Sequence, residues 1–318
     1  MNILVTCAGQ RVNIIQYIKK SLVDLGGKVI AVDCSDSAPA LYFADHYEIV
    51  PAVHDVAYLD EIMRICLKHE ITAVLSLIDP ELPILARAKE EFKKHQIHLI
   101  VSDTKVIEAC NDKKNTYEFL ASHVIPTIPT YSSLDEMRAD LGDITLPLIL
   151  KPKSGSGSTG VKKVTSLEEA HLILSTHRDY IVQPFIEGSE YSIEAYVDLI
   201  SNETICIHPK KQLLMKAGET YTSVSVKDPR LVELIQRTIA ALGPIGPINL
   251  DCFQTKTGDY LISEINPRLG GSYPHTHEVG LNFFAYLIHN LNGYPNKSYI
   301  NDYLEGTLMM KYFDVLVR

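Results

Sequence analysis

The chain has 318 residues, with 30 Lys and Arg against 39 Asp and Glu, a net charge of −9, 46% hydrophobic and 22% charged residues. That length and balance fit a globular chain of about two domains and exclude wholesale disorder. The acidic balance lacks any basic run longer than two residues, which argues against a nucleic-acid partner; phosphates must be met by local cations or metal ions.

The six cysteines show no C-x-x-C spacing, and Cys206 and Cys252 sit in apolar runs, so they read as small buried hydrophobes rather than disulfides or zinc ligands. No charged segment followed by a long apolar stretch opens the sequence, and no apolar run approaches ~18 residues. No signal peptide and no membrane span are expected, and the expected compartment is the cytoplasm.

Residues 3–6 form a short β-branched run, and helical spacing follows through Val12, Ile14, Ile15, Ile18, Leu22 and Leu25. Gly26-Gly27 stops that helix before a strand over 28–33. Further strands are predicted at 47–50, 73–77 and 97–101, with helices over 59–67 and 82–92 between them. The alternation predicts a doubly wound parallel sheet, an α/β unit whose ligands would lie at the carboxyl ends of its strands. The first turn has the single glycine Gly9 and no G-x-G-x-x-G, which speaks against dinucleotide binding.

Beyond Asn111 the texture changes to an α+β pattern. A helix is predicted over 112–122, strands over 148–151 and 161–164, a helix over 166–175 opened by Ser166 and Glu169, and a strand over 180–183. Strands then dominate (191–197, 204–208, 249–253 and 260–266), with helices near 228–242 and 281–291.

Three constellations carry chemistry. Gly155, Ser156, Gly157 and Gly160 lie in a loop between two predicted strands, flanked by Lys151, Lys153 and Lys162. Val161 stands where a P-loop needs lysine and no helix follows, so the loop is either a flexible surface hairpin or a phosphate cover with ammonium groups beside it. Next, a hairpin centred on Thr257-Gly258 sets Asp251 opposite Glu264, with Asn266 two residues further along the same face. Facing acids repel unless a cation lies between them, and oxygen ligands select Mg²⁺ or Mn²⁺. Pro267, Arg268, Gly270 and Gly271 follow at once and suit a carboxylate or phosphoryl oxygen, which favours a metal over a merely polar hairpin. The third segment runs from Tyr180 through Gln183, Phe185, Gly188 and Glu190 to Glu194, entering a new strand that bears acids; it suits an adenine edge and a ribose, and equally an ordinary strand–turn–strand.

In this order, lysine with glycine loop, hinge, then Asp…Glu264-Ile-Asn266-Pro-Arg268, the chain resembles the ATP-grasp superfamily, in particular one synthetase unit of the carbamoyl phosphate synthetase large subunit. The resemblance covers almost the whole chain. It implies a Rossmann-like pre-ATP-grasp domain over 1–111 and a two-lobed ATP-grasp domain over 112–318, with a small lobe of about 112–186 and a large lobe of about 187–318. It implies that Lys113, Lys151 and Lys153 meet ATP with the glycine loop, that Gln183 and the Phe185 backbone meet adenine, and that Glu190 meets ribose. Asp251, Glu264 and Asn266 would hold two Mg²⁺ ions. Arg268, with Lys151 and Asn266, would serve catalysis, and Arg268, Gly270, Gly271 and Ser272 would meet the substrate. Gln183 replaces the glutamate common at that hinge, and its carbonyl can still accept from the adenine amine.

The implied reaction is phosphorylation of a carboxylate or bicarbonate to an acyl phosphate, which an amine or ammonia attacks. Only one such unit is present, so carbamoyl phosphate synthesis would call for a partner glutaminase subunit, a homodimer dividing the work, or a different product. Tyr273, His275 and His277 are further candidates for shaping the acceptor pocket, though for the histidines solvent exposure is an equal expectation.

Overall fold

Short β-branched runs with apolar residues on both faces make buried parallel strands. The chain opens with five: β1 (Asn2–Thr6), β2 (Lys28–Asp33), β3 (His46–Ile49), β4 (Ile71–Ser76) and β5 (His98–Leu99), in spatial order β3-β2-β1-β4-β5. This computed structural model describes residues 1–155, 157, 159–216 and 218–317. Alternation splits the sheet's two faces. Ile3, Val5, Val29 and Leu75 pack with the helices Val12–Leu22 and Phe283–Leu291, whereas Leu4, Ile30 and Val74 pack with Tyr58–Lys68 and Leu82–Lys94. The final helix therefore belongs to the same core as the first sheet. Strand order reverses at β1, so the turns after β1 and β4 open side by side at a switch point.

The second part is built on two antiparallel sheets. The smaller contains β6 (Leu148–Pro152), β7 (Lys162–Val164) and β8 (Tyr180–Pro184), with β6 in the middle. The larger contains β9 (Gly188–Val197), β10 (Thr204–Lys216), β11 (Glu219–Ser225), β12 (Gly246–Thr255), β13 (Tyr260–Asn266) and β14 (Leu308–Met310), in order β13-β12-β9-β10-β11-β14. Ile193, Ala195, Ile248 and Leu250 bury one face of that sheet with the helix Pro229–Leu242. The other face carries the polar residues described below. The parallel sheet followed by antiparallel sheets matches the expected fold class. Among the described residues no helix is long and apolar enough to cross a membrane.

Some elements differ from the sequence reading. β10 continues to Lys216 because it pairs first with β9 and then with β11, a Thr/Ser-rich strand that carries no apolar run. Helices at Thr104–Asn111, Leu134–Leu141 and Tyr273–Glu278 also went unread. Ser133 caps the second of these through its side chain, and Asp112 caps the helix Lys113–Ser122. Ser166 accepts from the Glu169 N–H, as the capping pattern predicts.

Candidate functional site

The β12–β13 hairpin sets Asn249 opposite Asn266, Leu250 opposite Ile265 and Asp251 opposite Glu264. Nearer the turn Gln254 faces Tyr260 and Cys252 faces Ile262, a register that alone would set Asp251 opposite Ser263; the bulge between Asp251 and Cys252 shifts it by one residue and brings Glu264 opposite Asp251. Residues opposite each other across a ladder share a face. Pairing continues sideways, so Glu264, Asp251, Ser192 and Lys210 form one row, and Asn266, Asn249, Glu194 and His208 form the next.

This polar face floors a cavity of about 490 Å³ whose other walls are β6, the glycine loop, the segment after β8 and the start of β11. Of the predicted site residues, Lys113, Lys151, Gly155, Gly157, Gln183, Phe185, Glu190, Asp251, Glu264, Asn266, Arg268, Gly271 and Ser272 line it. Lys153, Gly160 and Gly270 do not appear on the wall. Lys153 is half exposed, with its Nζ 3.7 Å from Asp112 Oδ2. Gly160 packs under Tyr180, where a Cβ would come within 2.7 Å of the hydroxyl, and a Cβ on Gly270 would lie 2.3 Å from Glu194 Oε1. Gly270 is needed for close packing beneath the site, whereas Gly160 is exposed and suits a left-handed backbone at φ 76°. Ser156 lies outside the described residues.

The electrostatics centre on the facing acids. Burial and then the Glu264 charge push the Asp251 carboxyl up to about 7, and a Ser192 hydroxyl bond only partly opposes them. Lys113 offers Glu264 a distant cation, 3.7 Å from Oε1, and spends its shorter bond, 2.8 Å, on the Gly155 carbonyl. Burial lowers Lys151 to about 8 against the pull of Glu264, Asp251 and Glu190. Burial likewise raises Glu190 above the usual carboxylate range.

At the hinge, Gln183 Nε2 donates to Thr130 Oγ1 at 2.7 Å, which orients the amide and leaves its oxygen as the group able to accept. The Phe185 N–H already donates to Pro147 O at 3.2 Å, so only the Phe185 carbonyl remains for a base. Lys163 stands 3.6 Å above the Phe185 ring.

Arg268 is 8% exposed and held from three directions. Its Nη2 donates to Asp79 Oδ2 at 2.5 Å and to Asn266 Oδ1 at 3.3 Å, and its Nη1 donates to Leu269 O at 2.9 Å. Burial opposes its charge, yet Asp79, together with Glu264 and Glu194, holds the guanidinium above its ordinary value. Two buried side-chain atoms among the described residues lack any partner, Arg268 Nε and Gln212 Oε1, and both residues line the cavity. A donor and an acceptor left unmatched at a cavity wall are met by water or a polar ligand.

Several groups went unread in the sequence. Arg11 and Asp79 enter from the first domain, from the turns after β1 and β4. Glu194, fully buried, accepts from Gly270 N at 3.2 Å, Ser272 Oγ at 3.1 Å and Asn249 Nδ2 at 3.2 Å, and so fixes the segment carrying Arg268. Lys210 lies 3.7 Å from Glu194 and donates to Thr276 Oγ1 at 3.0 Å. Tyr273, His275 and His277 do not reach the cavity wall. His275 bonds Ser223 and Ser225 in the core, and burial lowers it to about 4, so it is neutral. His277 stacks on Tyr17.

Residues 3–100 match a PylC-like N-terminal domain, and residues 110–272, just over half of the chain, match an ATP-grasp domain. The chain is 29% identical to carbamoyl-phosphate synthase of Methanobrevibacter smithii, over 88% of this chain and 78% of that protein. The biotin carboxylase of Campylobacter jejuni superposes with a TM-score of 0.74 at 19% identity, covering 93% of this chain and 72% of that one. An L-amino acid ligase of Bacillus licheniformis gives a TM-score of 0.70 at 23% identity, covering 93% and 75%.

Proposed function

The chain belongs to the ATP-grasp family, and from that premise we propose that it is an ATP-dependent ligase joining a carboxylate, or bicarbonate, to an amine or ammonia. A carboxylate oxygen attacks the γ-phosphorus, the bond to the β-phosphate oxygen breaks, and ADP leaves. The nitrogen then attacks the acyl carbon, the C–O bond to phosphate breaks, and the nitrogen's proton goes to solvent. The observation that carries this reading is the Asp251–Glu264 pair facing a cavity that also holds Lys151, Lys113 and Arg268.

The donor set fits a hard divalent ion. An aspartate with its pKa near 7 beside a second acid lacks a full counter-charge. Among the described residues no three His, Cys, Asp or Glu side chains cluster to hold an ion alone, so Asp251, Glu264 and the Asn266 amide would share Mg²⁺ or Mn²⁺ with phosphate oxygens and water. The ion supplies neutralisation of phosphate charge. Lys151 and Lys113 bind the phosphates, and the backbone at Gly155 and Gly157 covers them and excludes water from the acyl phosphate. Gln183 Oε1 and the Phe185 carbonyl accept from the adenine amine, and Glu190 accepts from ribose. Arg268 offers Nε–H to the acyl phosphate oxygen.

The 29% identity to a carbamoyl-phosphate synthase supports bicarbonate and ammonia as the first pair to test. ADP release by the purified chain with Mg-ATP, screened over bicarbonate, amino acids and short peptides with ammonia and amines, tests the reading. Second-substrate-dependent ADP release supports it; a chain that binds no nucleotide, or whose ADP release ignores every second substrate, refutes it.

A further inference from the structure

One buried carboxyl stands outside the site yet ties together the strand ends from which the first domain reaches it. Glu81 is fully buried and does not line the cavity. Its Oε2 accepts from Thr6 Oγ1 at 2.7 Å and Ser76 Oγ at 2.5 Å, and its Oε1 accepts from Tyr58 OH at 2.7 Å. Thr6 ends β1, Ser76 ends β4, and the two are partners in the parallel ladder. Tyr58 opens the helix Tyr58–Lys68. A single side chain thus joins two strand ends to a helix on one face of the sheet. Burial raises this carboxyl above the usual range, and the hydroxyls of Ser76, Tyr58 and Thr6 oppose that. A buried acid held by hydroxyls is costly to desolvate, so stability alone gives little reason for an acid here.

The consequence lies two residues upstream. Glu81 closes the one-turn helix Asp79–Glu81, which Asp79 opens, and Asp79 Oδ2 accepts the bond from Arg268 Nη2. Only Leu77 and Ile78 separate Ser76 from that helix, so the turn is pinned at Ser76 and again at Glu81, with Asp79 between the pins. Beyond Thr6 the chain turns to Arg11, which donates to Gly270 O at 3.1 Å. Both grips of the first domain on the Arg268–Gly270 segment therefore start from strand ends that Glu81 joins. A shift of about 1 Å at a group that must meet a reacting centre can cost about 100-fold in rate. We propose that Glu81 is a positioning residue: it sets the turn after β4 so that Asp79 meets Arg268 and the Arg268 segment keeps its place at the cavity wall. The role adds no chemical step. Its effect on turnover rests on the ligase reading, whereas its effect on the segment does not.

The full chain is compared with Glu81→Leu, Asp79→Asn and the double variant, with circular dichroism as the fold check. Amide hydrogen exchange is followed by mass spectrometry over residues 266–272, which belong to the second domain and touch no atom of Glu81's own hydrogen-bond partners. Glu81→Leu is expected to speed exchange there at least fivefold, as is Asp79→Asn, while exchange in the helix Pro229–Leu242 stays within twofold. The double variant should add less than twofold to either single change, because both act through one contact. In ADP release, kcat of Glu81→Leu should fall at least tenfold with KM for ATP within twofold, and Glu81→Gln, which keeps an acceptor for the hydroxyls, should recover most of the loss. Unchanged exchange over 266–272, accelerations that multiply in the double variant, or an unchanged kcat in an active chain overturns the proposal. If Glu81→Leu does not fold, Tyr58→Phe and Thr6→Val each delete one hydroxyl instead; faster exchange over 266–272 in either supports the proposal, and no change in both overturns it. A parent chain that releases no ADP with any second substrate refutes the ligase reading, and the exchange measurement still decides the role of Glu81.

Discussion

Replacing Glu264 by Gln separates the metal-site reading from a purely structural one, because the two predict opposite effects on stability. The register places the Asp251 and Glu264 Cβ atoms about 5 Å apart. At an effective dielectric near 20, like charges at that distance repel by about 3 kcal/mol, or about two pKa units. Asp251 keeps some exposure at the cavity wall, so about half of that, roughly one unit and 1.4 kcal/mol, is the working figure. The folded pKa of Asp251 is raised to about 7, above its unfolded value. Metal-free protein therefore loses stability as pH rises from the ordinary carboxylate range through about 7, because the unfolded chain releases that proton first. In Glu264→Gln this loss shrinks, so the metal-free variant should be about 1 kcal/mol more stable than the parent at pH 8. At pH 5 Asp251 is protonated in both forms, and the variant has only lost the Lys113 contact, so it should be equal or slightly less stable. Turnover should fall by more than about 100-fold, equivalent to some 2.7 kcal/mol of transition-state stabilisation. Urea denaturation of chelator-treated protein at the two pH values, together with ADP release, measures both. Near-parental turnover, or equal destabilisation at pH 5 and pH 8, would refute the reasoning.

The pH dependence of kcat/KM for ATP should be bell-shaped. The acid limb lies near 7, where Asp251 must lose its proton to hold the metal, and the alkaline limb near 8, where Lys151 loses the charge that binds phosphate. Lys151→Arg should remove the alkaline limb, and a flat profile from pH 6 to 9 would contradict both assignments. Asp79→Asn should loosen Arg268 and lower kcat about 10- to 100-fold with little change in KM for ATP, since one charge-assisted hydrogen bond of about 1.5–3 kcal/mol is lost; steady-state kinetics with circular dichroism as a fold check decide it. Lys210→Met leaves Glu194 buried without its cation and should cost about 3–5 kcal/mol in denaturant unfolding, whereas a loss below 1 kcal/mol would show the pair to be dispensable.

The hairpin could be read from sequence because a local turn joins its strands. The register next to the turn differs by one residue from the one predicted from Thr257-Gly258, and the acids face each other because the bulge between Asp251 and Cys252, which no sequence signal marks, makes up the difference. The parallel sheet was legible for a similar reason, since its strands bury both faces and stand out as β-branched runs. Lys210 was hidden by the opposite circumstance. A lysine in a strand is ordinarily solvent-facing, and its burial depends on Thr276 in, and Ser272 just before, a polar segment, Tyr273–Glu278, with no apolar period to mark it as a helix. Lys153 stands off the cavity wall because proximity to the glycine loop says nothing of direction, and its side chain turns to Asp112.

What no local pattern could supply is the dependence of the site on the first domain. Arg268 and Gly270 sit on one short segment, and Asp79 and Arg11 reach it from 189 and 259 residues away in sequence. Those two side chains leave adjacent strand ends, β4 and β1, at the switch point where an open parallel sheet presents its binding crevice. Glu194 holds the same segment from the sheet below, through Gly270 N and Ser272 Oγ. The segment is thus clamped between domains, with Arg268 Nε as the one nitrogen of its guanidinium left without a partner and buried at the cavity wall. The parallel sheet thus has a physical reason to precede the ATP-grasp part: it fixes Arg268 at the cavity wall and brings a second cation, Arg11, to the same cavity.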